Sequence, residues 1–251
     1  MGKRRTKNSI VLAVCISLIC LCGVTACGQD SPKSSSASID PASVGDRSLS
    51  STSSSASKPK ADDLRSQLNI EELYFDDFNH GKKSADFQKY IVLHDTEGGG
   101  SPTSVVNSWE NNGQHIAAHF VVGKDGSIVQ CVPLDAIAHH VGWGSNGHNA
   151  KFGVEDESRD DKIGQKATSS YSDYGMNSFS IGIEMIHAGG DGDYPEAQLA
   201  AIDKLIAYRD AYYGGNPGEI IDHKMWRIGN SDTSAEFAAY LDNYRDHRSH
   251  N

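Results

Sequence analysis

Positive charge is scarce in this chain. Against 33 Asp and Glu stand 23 Lys and Arg, a formal net charge of −10 over 251 residues, and no dense Lys/Arg run occurs after the first seven residues. Affinity for a nucleic-acid backbone comes mainly from clustered cations that neutralise phosphates, so nucleic acid is excluded as a partner. Cysteine is scarce too: of five, four lie at positions 15, 20, 22 and 27, and only Cys131 follows. Beyond residue 27 no intramolecular disulfide can form, and the fold must rest on its own core or on a metal. What the chain has in excess is histidine, eleven in all, the side chain most used to bind transition metals or move protons near neutral pH.

The N-terminus reads as an address. Lys3, Arg4, Arg5 and Lys7 precede an apolar stretch from Ile10 to about Val24, the charged and hydrophobic regions of a secretory signal. The stretch is short of the roughly 20 residues a spanning helix needs. Val24-Thr25-Ala26-Cys27 follows and resembles the lipobox at which bacterial prolipoproteins are cleaved and acylated. Residues 1–26 are thus expected to be a lipoprotein signal peptide and Cys27 the lipidated residue. Removing the four signal cations leaves 19 − 33 = −14, so acyl chains rather than a basic surface would hold the protein at the membrane. Residues 31 to 60 hold thirteen Ser and no aromatic residue, too little apolar area to offset chain entropy. Residues 27–65 are therefore expected as a tether, with an r.m.s. reach of roughly 30 to 35 Å.

Leu64, Leu68 and Leu73 recur near helical spacing, which predicts a short helix around Asp62 to Leu73 and a helical extension over 66–85. Tyr90-Ile91-Val92-Leu93 reads as a buried strand with His94 at its end. Ser101-Pro102 opens a helix to about Asn111 through a cap and a first-turn proline. The segments 118–122 and 127–132 flank Gly123-Lys124-Asp125-Gly126, whose Asp-Gly is a strong hairpin signal. Ser180 to Ile186 is a further strand, with Glu184 inside an apolar run. A helix from Pro195 carries Leu199, Ile202, Leu205 and Ile206 and stops at Gly214-Gly215. Glu219 to Asp222 is the last strand, with His223 at its end, and a final helix runs from about Ser234 past Phe237 and Leu241. Helices between strands that include a hairpin predict an α/β domain, a mixed central β-sheet flanked by helices. The long polar segment between Gly144 and Met176 borders a functional site or lacks order.

His94 and His223 each follow a short apolar strand, and Asp232 lies nine positions beyond His223 across a loop. Strand ends in one sheet can lie side by side, so two nitrogens and an oxygen can converge with a fourth position open, the arrangement of a catalytic zinc. By spacing alone, a His at a strand end is more often a hydrogen-bonded surface residue than a ligand.

Longer motifs add to this. Tyr-Ile-Val-Leu-His-Asp-Thr from Tyr90, Ala-Ala-His-Phe-Val-Val-Gly-Lys-Asp-Gly-Ser-Ile-Val-Gln-Cys-Val-Pro from Ala117, Ala-His-His-Val-Gly from Ala138, Asn-Ser-Phe-Ser-Ile-Gly-Ile-Glu from Asn177 and Ile-Ile-Asp-His from Ile220 occur in this order. Together they resemble the type-2 N-acetylmuramoyl-L-alanine amidase family, relatives of peptidoglycan recognition proteins and phage amidase lysozymes. The resemblance covers roughly Tyr90 to Phe237 and implies an amidase domain over 86–247. It implies Zn2+ as cofactor, held by His94, His223 and Asp232, and Glu184 as the catalytic carboxylate that handles the proton of water. His119 and His140 match recurrent family positions of the scaffold and substrate cleft. A carboxylate on a buried strand is desolvated, which raises its pKa toward that of a useful base.

One departure stands out. Many catalytic relatives carry Lys two positions before the third ligand, where this chain has Asn230. An oxyanion donor is typically worth ~3 kcal/mol, so turnover is slower or Lys224, Arg227 or the Asn230 amide substitutes. His140, Trp143, Asn230 and Trp226 are the expected substrate-binding residues. The expected protein is an exported monomer, lipid-anchored to the outer face of the bacterial cell membrane, that hydrolyses the amide between N-acetylmuramic acid and L-alanine of peptidoglycan. The other reading is a peptidoglycan-binding lipoprotein with little hydrolysis.

Overall fold

The computed structural model describes residues 60–83, 86, 88–142, 144–154, 175–237 and 241. The signal peptide, Cys27 and the Ser-rich tether lie outside the described residues. Among the described residues no helix is long and apolar enough to cross a membrane.

In chain order the elements are α1 (Ala61–Arg65), β1 (Ile70–Glu72), a 3-10 turn (Asp76–Phe78), β2 (Tyr90–Asp95), α2 (Pro102–Asn112), β3 (Phe120–Val122), β4 (Ile128–Gln130), α3 (His148–Phe152), α4 (Gly175–Phe179), β5 (Ser180–Met185), α5 (Glu196–Tyr212), β6 (Glu219–Asp222) and α6 (His223–Trp226). The strands form a six-stranded sheet in the order β1-β4-β3-β5-β2-β6. Only β3 and β4 run antiparallel; the other neighbours are parallel. This is the mixed sheet with flanking helices that the sequence predicts.

Local chemistry explains the elements that frame the site. Ser101 caps α2 by accepting from the Ser104 N–H, the Ser104 hydroxyl returns the bond to the Ser101 N–H, and Pro102 takes the first turn, where its missing N–H costs nothing. The β3–β4 turn closes through the Gly123 N–H to the Ser127 carbonyl at 2.8 Å. Gly126 sits there at φ +82°, and an added Cβ would stand 2.8 Å from the Ala197 carbonyl oxygen of α5, so glycine serves both the left-handed turn and the close approach of the helix.

Period-2 alternation sorts the side chains onto two faces. Ile91, Leu93, Ile181, Ile183 and Met185 turn toward Ile202, Leu205 and Ile206 of α5, each buried aliphatic contributing about 1.5–3 kcal/mol relative to exposure. On the opposite face Tyr90, Val92 and Ile221 pack with Phe152, Phe179 and Trp226, and Val121 and Val129 pack with Val106 and Phe78. The result is a three-layer sandwich.

The segment from Asp62 to Leu73 is not one helix. It turns out of α1 after Arg65, and Ile70–Glu72 joins the sheet edge parallel to β4. Leu64 and Leu68 pack on the α5 side whereas Leu73 reaches the other core, so a spacing that suits a helix here serves a chain that crosses the sheet edge. Of the 144–176 segment, α3 and the start of α4 are described; residues 155–174 lie outside. The final helix is described at residues 235–237 and 241.

Candidate metal centre

On β2, Ile91 and Leu93 face α5, so alternation turns Val92 and His94 to the other side. β5 runs parallel to β2 with His94 paired to Glu184, and paired residues of adjacent strands share a face. β6 flanks β2 on its other side, with Asp222 paired to Leu93, and His223 is the next residue. Asp222 ends the strand by capping α6, its carboxylate accepting from the Met225 N–H at 2.7 Å. Asp232 arrives on the following loop, which is tied to β2: the Asp95 N–H donates to the Asp232 carbonyl at 2.6 Å, and the Ser234 N–H donates to the Asp95 carboxylate at 2.7 Å. The Tyr194 hydroxyl holds the second Asp95 oxygen at 2.5 Å. Three chain segments thus meet at the carboxyl ends of parallel strands, where open α/β sheets place their ligands.

His94 Nδ1 lies 3.0 Å and His223 Nδ1 2.6 Å from Asp232 Oδ2, and the three donor atoms lie within 4.8 Å of one another. The opposite nitrogens show which lone pairs are available. His223 Nε2 is 2.6 Å from the Val141 carbonyl, which can only accept, so that nitrogen carries the proton and Nδ1 presents its lone pair. Two imidazole nitrogens and a carboxylate oxygen converge here. Such a set can hold a cation, and N, N, O from two His and one Asp suits Zn2+.

The profile of the N-acetylmuramoyl-L-alanine amidase family (Amidase_2) matches residues 84–235, more than half of the chain. This chain belongs to that family. Comparison with curated proteins gave no match. Among solved structures the chain is similar to an N-acetylmuramoyl-L-alanine amidase endolysin from Clostridium intestinale, with 20% identity and a TM-score of 0.42 over 69% of this chain and 95% of that one. A mutant endolysin from Bacillus subtilis gives 21% and 0.47 over 73% and 98%. The Staphylococcus aureus hydrolase AmiA, solved with its ligand, gives 21% and 0.42 over 75% and 88%.

The electrostatics of this amidase-family site separate its two carboxylates. Burial works to raise Asp232, but the close approach of the His223 and His94 rings outweighs it and holds the group below the ordinary carboxylate range. Glu184 moves the other way, well above its ordinary value, first through burial and then through the charges of Asp232, Asp95 and Glu97. Burial lowers His94, and it lowers His140 strongly, with His94, His119 and Lys83 adding to the effect. One carboxylate is thereby held toward its ionised form while its neighbour gains proton affinity, the division of labour that acid–base chemistry requires.

His94, His223 and Asp232 come together, and Glu184 is paired with His94 on the neighbouring strand. Other expected site residues take different places. His140, expected in the substrate cleft, is buried behind His94, its Nδ1 3.0 Å from His94 Nε2. Trp226 is fully buried among Phe152, Val92 and Ile221 and donates from Nε1 to the Gly142 carbonyl at 3.1 Å; its large apolar ring fills the core at the end of α6. Asn230 accepts from the Asp232 N–H at 2.9 Å and so shapes the ligand loop. Lys224 donates to the Thr233 carbonyl, a second tie on the same loop. His119 is scaffold: it accepts the Gly182 N–H on Nδ1 and bonds the Ala136 carbonyl through Nε2. Trp143 lies outside the described residues.

A cleft of about 240 Å³ opens beside Glu184, lined by Thr96, Gly98, Gly99, Ser104, Ser108 and Trp109 among others. Sequence reading missed this wall because α2 carries no motif. It also passed over Gly182, whose missing side chain is filled by the His140 ring, 2.6 Å from where a Cβ would stand. Glycine inside an apolar strand is the signal that marks such an approach.

Proposed function

We propose that this chain is a zinc-dependent N-acetylmuramoyl-L-alanine amidase that cuts the amide between the lactyl group of N-acetylmuramic acid and the L-alanine of peptidoglycan stem peptides. The observation that carries this reading is the convergence of His94 Nδ1, His223 Nδ1 and Asp232 Oδ2, with Glu184 paired beside His94 on the same face. Zn2+ held by these three residues supplies a Lewis acid that polarises the carbonyl and acidifies water.

The chain's own residues do the rest. Glu184 accepts a proton from the water that adds to the carbonyl carbon, and burial raises its proton affinity above that of an ordinary carboxylate. It then delivers the proton to the alanine nitrogen as the C–N bond breaks, and the amine leaves neutral. The cleft beside Glu184 is lined by Thr96, Ser104, Ser108 and Trp109 among others, a mixed polar and aromatic lining suited to a glycopeptide.

The N-terminal residues support export and anchoring of this domain through Cys27, with the Ser-rich segment spanning the distance to the wall. Full-length protein incubated with purified peptidoglycan and zinc should release glycan strands stripped of peptide, with new alanine N-termini. A Cys27→Ala variant should lose its incorporated fatty acid. Glycan strands that keep all their peptides after long incubation would replace this reading with a binding module, the alternative that Asn230 in place of a lysine favours.

A further inference from the structure

The two imidazoles of the metal centre have their outward nitrogens engaged by two consecutive residues. His223 Nε2 meets the Val141 carbonyl at 2.6 Å, and His94 Nε2 meets His140 Nδ1 at 3.0 Å. The His140–Val141 pair is itself pinned, because the His140 and Val141 N–H groups both donate to Asn177 Oδ1, at 3.0 and 3.2 Å. Asn177 belongs to α4, and Ser180, the next element's first residue, bonds the far side of the His140 ring at 3.2 Å.

The proton positions along this line follow from the acceptor at its end. The Met176 carbonyl has no hydrogen to give, so the Ser180 hydroxyl donates to it at 2.7 Å. Ser180 Oγ then accepts from His140 Nε2–H, which leaves His140 Nδ1 as an acceptor. His94 must donate to it from Nε2, and the His94 lone pair is left on Nδ1, the atom facing Asp232 at 3.0 Å. His140 stands on the far side of His94 from Asp232 and is no ligand of the same ion. Gly182 gives the ring its place: a Cβ there would lie 2.6 Å from His140 Nδ1 and 2.7 Å from Cγ.

We infer that His140, oriented by Ser180 and clamped by Asn177, is a positioning residue that fixes His94 in the tautomer and orientation able to bind a metal through Nδ1. The inference rests on the metal reading of His94, His223 and Asp232 proposed above. Partners that hold the outer nitrogen of a ligating imidazole typically change metal affinity 10- to 100-fold when removed.

The test is zinc affinity of full-length protein in detergent, measured by competition with a chromophoric chelator. Wild type should bind one zinc tightly, and Asp232→Ala should not. His140→Phe fills the same space without an acceptor and should weaken binding roughly 10- to 100-fold, whereas His140→Gln, which keeps an acceptor, should recover most of the loss. Ser180→Ala should weaken it roughly 2- to 10-fold, and it decides the matter should His140→Phe fail to fold. Nitrogen NMR of the histidines in zinc-free protein should show His94 protonated on Nε2 in wild type and a tautomer mixture in His140→Phe. Wild-type affinity in both His140→Phe and Ser180→Ala, with Asp232→Ala still unable to bind, overturns the inference and leaves the metal reading standing; equal binding by wild type and Asp232→Ala overturns the metal reading itself.

Discussion

His94 and Glu184 are partners in register on the parallel strands β2 and β5, so the sheet itself, rather than a loop, sets the spacing between the proposed metal ligand and the proposed general base. Rigid elements hold such constellations more closely than loops can. Only Asp232 comes from a loop, and that loop is bonded back to the strand end through Asp95.

Replacing Glu184 with Gln should have two effects of opposite sign. Losing a general base typically costs 10²- to 10⁴-fold in turnover, while zinc affinity stays within a few-fold because Glu184 is no ligand. Stability of zinc-free protein should rise. The folded pKa of Glu184 lies above its unfolded value, so the stability this group contributes is full below the unfolded pKa, about 4.3, and is lost as pH rises through the folded pKa. An uncharged Gln escapes that loss. Thermal melts with chelator present should show the variant more stable than wild type at pH 7 and the gap closed near pH 4; equal melting at pH 7 would show that Glu184 carries no burial penalty.

Zinc should stabilise the fold in proportion to its binding. At a free concentration 100 times Kd the gain is about 2.7 kcal/mol, which for a domain of this size is a rise in Tm of roughly 5 to 11 °C. Chelator should reverse the shift, and Asp232→Ala or His223→Ala should remove it. Calorimetry with and without zinc reads this directly, and a wild-type Tm indifferent to zinc would speak against the centre.

Much of this was legible in the sequence because it depends on local chemistry. Strand–His junctions at 94 and 223, the Ser101-Pro102 cap and the Asp-Gly turn each declare themselves within a few residues. The parts that were not legible depend on what lies across the sheet. Nothing within a few residues of Trp226 distinguishes a core anchor from a cleft wall, and only its contacts with Phe152 and Val92 decide. His140 reads as a cleft residue until β5 places Gly182 and Ser180 against its ring. Ile70–Glu72 reads as helix because its strand partner, β4, is far along the chain.

Asp95 should be a stability residue whose loss reaches the metal. Its carboxylate accepts the Ser234 N–H at 2.7 Å and the Tyr194 hydroxyl at 2.5 Å in a buried setting. Asp95→Ala removes both acceptors, and hydrogen bonds to charged groups are worth about 1.5–3 kcal/mol each, so a loss of roughly 3 to 6 kcal/mol is expected. Because Ser234 lies two residues from Asp232, zinc affinity should fall with it. Urea unfolding of the zinc-free variant gives the first number and chelator competition the second. A destabilised variant with intact zinc affinity would separate the latch from the ligand.

Gly182→Ala tests how tightly the second layer of the site is packed. The new Cβ would sit 2.6 Å from His140 Nδ1, 2.7 Å from Cγ and 3.0 Å from Cε1, and no real carbon tolerates such approaches. The imidazole cannot swing freely, because Nδ1 faces His94, Nε2 faces Ser180, and the His119 ring packs edge-on at 5.7 Å. Overpacking of this kind typically costs 1–3 kcal/mol, and the atom displaced first is the acceptor for His94. A fall in both Tm and zinc affinity is expected. Gly189→Ala, where an added Cβ meets nothing within 4 Å, is the control and should change stability by less than about 0.5 kcal/mol. If Gly182→Ala matched that control in zinc titration, the His140 ring would have room to move and its contact with His94 would not depend on the glycine.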